Sequence, residues 1–375
     1  MILHINTSRE WRGGEQQLYY LAQGLNQNKI EQLIVCQPNS PLFERCTDAG
    51  FPCYPLEMKG EWDRKAVKAI RNICSEKKIK LIHTHTAHAH SLAVFAKRNT
   101  LNIPLVVSRR VDFKPGSSIF SRWKYGHSAN DYYLPVSQAI KKVMIEAGIS
   151  PEKLITVYSG IDLKRFSKLP SGETIREEFS IPKKTIIIGN IAALVDHKDQ
   201  ETLIRAVEKM KTQVPFKVLI VGEGKLEKKL KTLSKELGLE DKIVFTGHRT
   251  DILALFSLFD IFTLTSKEEG LGTSVLDAMA SSLPVVATTG GGIGEMLTEG
   301  KGAFLSQVGD SASLAKSFDS LVESESLRTG FGAFNKLAVK RFSCTETSEK
   351  TKLIYYSLLG DSLFGKDNYE SSTHH

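Results

Sequence analysis

The segment Ser266-Lys267-Glu268-Glu269-Gly270-Leu271-Gly272-Thr273-Ser274-Val275-Leu276-Asp277 has the residue types and order of a turn that holds phosphate. It follows an apolar run and precedes a helix-forming stretch, so the chain reads strand, glycine loop, helix start. Gly270 and Gly272 let the backbone come close to a ligand. The free N–H groups of Thr273, Ser274 and Val275 then point at the loop, with the positive end of the helix dipole behind them. Glu269 stands just before the loop. A carboxylate beside a bound anion is not meant for the phosphate, so Glu269 is expected to accept hydrogen bonds from hydroxyl groups. Asp277, with seven residues between it and Glu269, is placed to do the same for a ribose. The competing reading of these residues alone is a capped helix with two solvated acids.

A second dense group is His83, His85, His88 and His90, which begins within the run Lys80–Thr84 and continues past its end. The spacing suits metal ligation, but neither Cys nor a carboxylate lies within the cluster, so no metal is expected. Gly290-Gly291-Gly292-Ile293-Gly294-Glu295 again joins a strand to a helix, and its backbone is expected to approach a ligand closely. Ile119–Tyr125 mixes aromatics with cations. Together with Arg64, Lys65, Lys68 and Arg71 it suits either an anionic leaflet or a packed helix with its cations in water.

These residues need a scaffold. Apolar runs at Ile2–Asn6, Gln32–Cys36, Lys80–Thr84, Leu105–Ser108, Tyr132–Val136 and Leu154–Val157 alternate with helical patterns such as Glu15–Asn26 and Asp63–Lys77. A second series runs through Thr185–Ile191, Lys217–Val221, Lys242–Thr246, Ile261–Thr265, Val285–Thr288 and Ala303–Leu305, with helical patterns at Lys225–Leu237 and Ser274–Ser281. Val- and Ile-rich strands separated by helices predict an α/β chain with parallel sheets covered on both faces. Two series predict two doubly wound domains, with the boundary in the mixed Pro, Gly, Ser and charged stretch Lys164–Pro182 and the ligand site beyond the carboxyl ends of the strands.

The 375 residues are too many for one core, and 41% hydrophobic with 25% charged excludes disordered and fibrous classes. No run approaches the ~20 apolar residues needed to span a bilayer. The opening MILHINTSREWRGGE lacks a basic start followed by an apolar core, so it reads as a first strand and the expected location is the cytoplasm. Five cysteines without a CxxC pair suggest reduced packing residues. The net charge of +8 is dispersed, without an aromatic-interleaved nucleic-acid module. It favours phosphorylated small molecules and an anionic membrane surface over nucleic acid.

SKEEGLGTSVLDAMASSLPVVATTGGGIGEML resembles the core signature of the large retaining glycosyltransferase family 4, of GT-B fold: two acids with seven residues between them, an Ala-Met-Ala helix, a Pro-Val-Val-Ala strand and a Gly-Gly…Glu turn. The second acid is here Asp277 in place of Glu. Arg12-Gly13-Gly14-Glu15 resembles the family's glycine loop facing donor phosphates and acceptor. Val157–Asp162 with Phe166 resembles its interdomain entry, and the segments around Gly222 and Arg249 resemble its nucleotide-side loops. The resemblance spans roughly residues 1 to 360.

It implies a GT-B architecture of two Rossmann-like domains facing a central cleft. Residues 1–165 would bind acceptor and 183–345 nucleotide sugar; a helix at 346–360 would cross back to the first domain, and 361–375 would be a flexible tail. It implies transfer of a hexose-type sugar, with retention, from a nucleotide diphosphate donor to a glycan or lipid-linked acceptor of cell-surface polysaccharide or lipopolysaccharide type. Lys198, in Asp196-His197-Lys198-Asp199, matches a family lysine on the donor diphosphate. The arginine that usually accompanies it reads Ala193, with Arg12, Arg249 and His197 as candidate replacements. The family's usual histidine near the sugar reads Ser108-Arg109-Arg110-Val111-Asp112. His85, Arg110 or Asp112 would therefore approach donor or acceptor. The implied reactive set is Glu269, Lys198, His85 and Arg110; the implied donor contacts are Gly13, Gly14, Lys198, Gly222, Arg249, Glu269, Gly270, Leu271, Gly272, Thr273, Ser274 and Asp277. No cofactor or metal is implied. The alternatives are a nucleotide-sugar epimerase of the same fold and a non-catalytic sugar-nucleotide-binding protein.

Overall fold

A computed structural model describes residues 1–98, 101–111, 115 and 118–360. Asp112 and the tail 361–375 lie outside the described residues. The chain forms two compact units: Met1–Gly160 together with the chain from Cys344 onward, and Ile161–Ser343.

The first unit is built on a six-stranded sheet of β1 (Ile2–Ile5), β2 (Gln32–Cys36), β3 (Cys53–Pro55), β4 (Leu81–Thr84), β5 (Leu105–Arg109) and β6 (Tyr132–Pro135). The order is β3-β2-β1-β4-β5-β6, and every pairing is parallel. Successive strands are therefore joined by crossover segments, and β1, β2 and β4 are buried on both faces, which is why apolar residues occupy both faces of each strand. The strand order reverses between β1 and β4. Loops leaving those two strands diverge to opposite faces and open a crevice at the carboxyl end of the sheet.

The second unit repeats the plan with β7 (Ile186–Ile191), β8 (Phe216–Val221), β9 (Ile243–Gly247), β10 (Ile261–Leu264), β11 (Val285–Thr288) and β12 (Ala303–Ser306), in the order β12-β11-β10-β7-β8-β9 and again parallel. Here the reversal lies between β7 and β10. Its core gathers Ile188, Val218, Ile220 and Ile261 from the sheet with Leu203, Val207, Leu314 and Phe318 from covering helices.

Three departures from the sequence reading have local causes. Leu154–Val157 is not a strand: Leu154 forms an isolated bridge to Tyr133, after a 3-10 turn at Pro151–Lys153, although Ile155 and Val157 donate to the carbonyls of Tyr133 and Pro135. The short strand β3 lies in FPCYP, and its prolines hid it; proline is tolerated there because β3 is an edge strand. Residues 164–182 do not separate the units. They belong to the second, with Phe166 and Ile175 buried in a 3-10 turn (Leu163–Phe166) and a short helix (Glu173–Glu178).

The helix Cys344–Leu359 completes the first unit. Ile354 and Tyr355 are buried with Ile2, Leu21, Leu25 and Val106. It runs so close to the helix Gly13–Gln27 that a Cβ on Gly24 would lie 2.1 Å from Ser348 Oγ.

Candidate active site

The loops leaving β7 and β10 meet at the reversal point of the second sheet. After β7 the chain makes a 3-10 turn at Asp196–Lys198, and Asp199 takes a left-handed conformation (φ 49°) that starts the helix Gln200–Lys209. After β10, Thr265 Oγ1 donates to the Asp199 carbonyl at 2.9 Å, and the Lys267 N–H donates to the His197 carbonyl at 2.8 Å. These bonds fix one loop against the other. They bring Lys198 and Glu269 together as a hydrogen-bonded ion pair, with side-chain exposures of 18% and 15%. Ser266 Oγ adds a bond to the same Glu269 oxygen at 3.3 Å. The sequence reading gave these two residues separate partners, diphosphate and sugar; in the structure they hold each other.

Beyond Glu269 the chain turns through Gly272, whose left-handed conformation (φ 87°) leads into the helix Thr273–Ala280. The Leu271 side chain is buried, so only its backbone faces the loop. Of the three N–H groups expected to be free, that of Val275 donates to the Gly272 carbonyl at 2.9 Å. Those of Thr273 and Ser274 have no acceptor among the described residues. The start of this helix therefore offers one free donor fewer than expected.

Gly290 and Gly291 serve a different neighbour from the one expected. A Cβ on Gly290 would stand 2.1 Å from the Ser266 carbonyl oxygen, and one on Gly291 2.0 Å from that of Glu269. The Gly292 N–H donates to the same Glu269 carbonyl at 2.8 Å. Close approach is required here by the Glu269 loop itself. Gly222 (φ 132°) works likewise: its Cβ would lie 2.2 Å from the Ala192 carbonyl oxygen, packing the loop after β8 against that after β7.

Asp277 is on the helix Thr273–Ala280, with Oδ1 shut off from solvent and unpartnered. Burial raises its pKa to about 7, opposed by the positive field of Arg165. Arg249 is committed elsewhere: it donates to both Glu178 oxygens at 2.6 and 2.8 Å and to Asp251 at 2.9 and 2.6 Å. Those two carboxylates raise its pKa. Among the candidates to replace the absent arginine, His197 is exposed on the loop that carries Lys198.

The first unit has its own crevice. Gly13 and Gly14 open the helix Gly13–Gln27, and Glu15 accepts from the Asn6 side chain at 3.0 Å and from the Arg12 N–H at 3.1 Å. The histidines sort differently from their order in sequence. His4 is the register partner of His83 across β1 and β4, and the nitrogens of His4, His83 and His85 lie within 4.8 Å of one another. His88 is exposed, and His90 bonds Asn130 at 2.8 Å. His4, His83 and His85 are the group among the described residues that could hold a metal. Each already has partners: His4 Nδ1 meets His85 Nε2 at 3.0 Å, His83 meets Tyr355 Oη at 2.5 Å and Ser108 Oγ at 2.8 Å, and His85 Nδ1 meets Arg110 Nη2 at 3.4 Å. Burial lowers the pKa of His4 to about 3 and those of His83 and His85 well below the usual range, so all three are neutral. His4 escaped the sequence reading because its partner is 79 residues away; a histidine inside a buried strand was the available signal.

Two family models match the chain. Glycosyltransferase Family 4 covers residues 11–165, and Glycosyl transferases group 1 covers residues 171–337. An N-acetyl-alpha-D-glucosaminyl L-malate synthase of Bacillus anthracis is 24% identical over 313 residues, 81% of this chain and 82% of that protein. An N-acetylgalactosamine-N,N'-diacetylbacillosaminyl-diphospho-undecaprenol 4-alpha-N-acetylgalactosaminyltransferase of Campylobacter jejuni is 28% identical over 214 residues, 56% of each. The crystal structure of Anabaena HepE in complex with UDP-glucose superposes with a TM-score of 0.81 and 22% identity, covering 95% of this chain and 99% of that one. That likeness shows the shared fold.

Proposed function

This chain belongs to the group 1 glycosyltransferases of family 4, and from that premise we propose that it moves a hexose-type sugar, with retention, from a nucleoside diphosphate donor to a hydroxyl of a glycan or lipid-linked acceptor. The observation that carries the reading is the Lys198–Glu269 pair at the mouth of the second sheet, beside the open N–H groups of Thr273 and Ser274. A leaving diphosphate gains negative charge as the bond from its oxygen to the sugar C1 breaks. The Lys198 ammonium and those two N–H groups are the positive field it would meet. Donor binding draws Lys198 towards the phosphates and frees Glu269 to accept from sugar hydroxyls. The acceptor oxygen forms the new bond to C1, and its proton passes to the departing phosphate oxygen. The positive charge is supplied by side chain and backbone, so this chemistry asks for no metal. Asp277, partly protonated near neutrality, would meet the ribose.

Relatives support the substrate classes: one carries a sugar–malate synthase name, one acts on a diphospho-undecaprenol-linked sugar, and HepE holds UDP-glucose. The reading places the enzyme in the cytoplasm, resting on an anionic membrane face. No helix among the described residues is long and apolar enough to cross a membrane. Support for the resting surface comes from Trp62 and Ile119, 63% and 80% exposed. The Trp62 ring lies tilted against that of Phe120, their centroids 4.3 Å apart, with exposed Arg64, Lys65, Lys68 and Arg122 nearby in sequence.

A ligand-observed NMR screen of nucleotide sugars tests the donor assignment. Saturation transfer to one donor, with slow donor hydrolysis lost in Lys198→Ala and Glu269→Ala, is the expected result. Unchanged hydrolysis in both variants overturns the site. Epimerised free donor, formed without acceptor, would move the chain to the epimerase class.

A further inference from the structure

At the reversal point of the first sheet, a cavity of about 360 Å³ is lined by Ser8, Arg12, Glu15, His85, Arg109 and Arg110, among others. That volume suits a small ligand. The lining is unbalanced in charge. Its described residues include three guanidinium groups and one carboxylate, Glu15, whose two oxygens are held by the Asn6 side chain and the Arg12 N–H. Arg12 is exposed and also pairs with Glu10 at 2.5 Å. Arg109 donates to Tyr125 Oη at 2.6 Å.

Arg110 is the residue that asks for a ligand. Its contacts to His85, the carbonyl and Nδ1, are both 3.4 Å long, and its Nε is shut off from solvent and unpartnered. Burial lowers its pKa to about 10, but it stays charged at neutral pH. A buried guanidinium with an unused N–H is costly unless a charge-bearing acceptor meets it. The planar fork of Nε and Nη matches the two oxygens of a carboxylate or phosphate, whereas a neutral hydroxyl would satisfy one N–H only. The helix Ala87–Lys97 also begins at this wall, with Thr86 as its N-cap, and adds the positive end of its dipole.

We propose that this cavity takes an anionic group carried by the acceptor, a carboxylate or a phosphate monoester on a monosaccharide or small polyol, with Arg110 as its bidentate partner. The inference deepens the glycosyl-transfer reading and rests on it for the word acceptor. The geometry of the anion site stands without it.

Calorimetric titration of the full chain with two matched pairs tests it. D-glucose 6-phosphate against D-glucose is the phosphate arm, and methyl β-D-glucuronide against methyl β-D-glucoside is the carboxylate arm. In at least one arm the anionic partner should bind roughly tenfold or more tightly than the neutral one, as charge-assisted hydrogen bonds imply. Arg110→Gln should abolish the preference and Arg110→Lys retain part of it, with thermal unfolding confirming that both variants fold. The nucleoside diphosphate selected from UDP, GDP and ADP should keep its affinity within about twofold in both, since charges that do not touch a ligand contribute little. The proposal falls if neither arm shows a preference, if the preference survives Arg110→Gln, or if nucleotide affinity falls with it, which would assign the cavity to the donor. Wild-type protein that prefers the anion but binds no nucleoside diphosphate would overturn the glycosyl-transfer reading and leave the anion site standing.

Discussion

Lys198 and Glu269 come from loops that follow the neighbouring strands β7 and β10, and they close on each other as an ion pair. Seventy-one residues of sequence separate them; the reversal of strand order is what makes them neighbours. Their two substitutions should therefore behave differently. Lys198→Ala should weaken nucleoside diphosphate binding and lower kcat on the order of 10²-fold, the usual cost of removing one group that stabilises developing charge. Glu269→Ala releases the lysine. It should leave diphosphate affinity unchanged or raise it by up to about fivefold, because the ammonium no longer has to leave a carboxylate to meet the phosphates, while transfer is lost. Calorimetry with the nucleoside diphosphate, beside initial rates, separates the two.

Gly291 tests whether the glycine run serves the loop. Its φ is 60°, and a Cβ would meet the Glu269 carbonyl oxygen at 2.0 Å. Gly291→Ala should displace the Glu269 loop and lower donor affinity on the order of tenfold or more, without altering any charge, because misplacement alone degrades a site. Gly294→Ala, where a Cβ meets nothing within 4 Å, is the control and should bind donor as wild type does.

Asp277 predicts a pH dependence of stability. Its folded pKa, about 7, lies above the ordinary carboxylate value, so the folded chain binds the proton more tightly than the unfolded one. The stability this contributes is complete below about pH 4 and is lost as pH rises through about 7. Asp277→Asn should remove that slope and stabilise the protein at pH 8 by about 2 kcal/mol, a figure reduced from the full shift because the residue is half-buried. Urea unfolding at pH 5 and pH 8 measures it.

The buried histidines act in the opposite sense. His4, His83, His85 and His90 have folded pKa values below 6.5, so protonation favours the unfolded chain. Stability should fall as pH drops below 6.5, by about 1.4 kcal/mol per unit for each group once the unfolded state is fully protonated. Acid unfolding followed by circular dichroism should be cooperative and set in below pH 6.5.

Gly24 tests the seat of the last helix. Gly24→Ala should cost about 1–3 kcal/mol through overpacking against Ser348. Adding Ser348→Gly, which removes both colliding atoms, should recover most of it in thermal unfolding.

Much of this was legible in the sequence. Strands such as Ile186–Ile191 and Phe216–Val221 announce themselves because both faces are buried, and the glycine turn at Gly272 is marked by the residue it requires. What escaped was set by register and by contacts between distant segments. Nothing near Lys198 names Glu269, and nothing near His83 names His4. The run Gly290–Gly292 looked made for a ligand because glycine reports only that something comes close, and here it is the carbonyls of Ser266 and Glu269. Arg249 looked like a free cation until Glu178 and Asp251 appeared on either side of it.

The second unit leaves the first at Ile161 and ends at Ser343, and these two residues form a parallel bridge, Ile161 donating to the Phe342 carbonyl at 3.0 Å. It is thus an insertion with its ends tied, and the first unit lacks Ile354 and Tyr355 from its interior until synthesis has passed them. On the ribosome, then, the half that begins first finishes last: the inserted half can mature while its host still waits for its final helix.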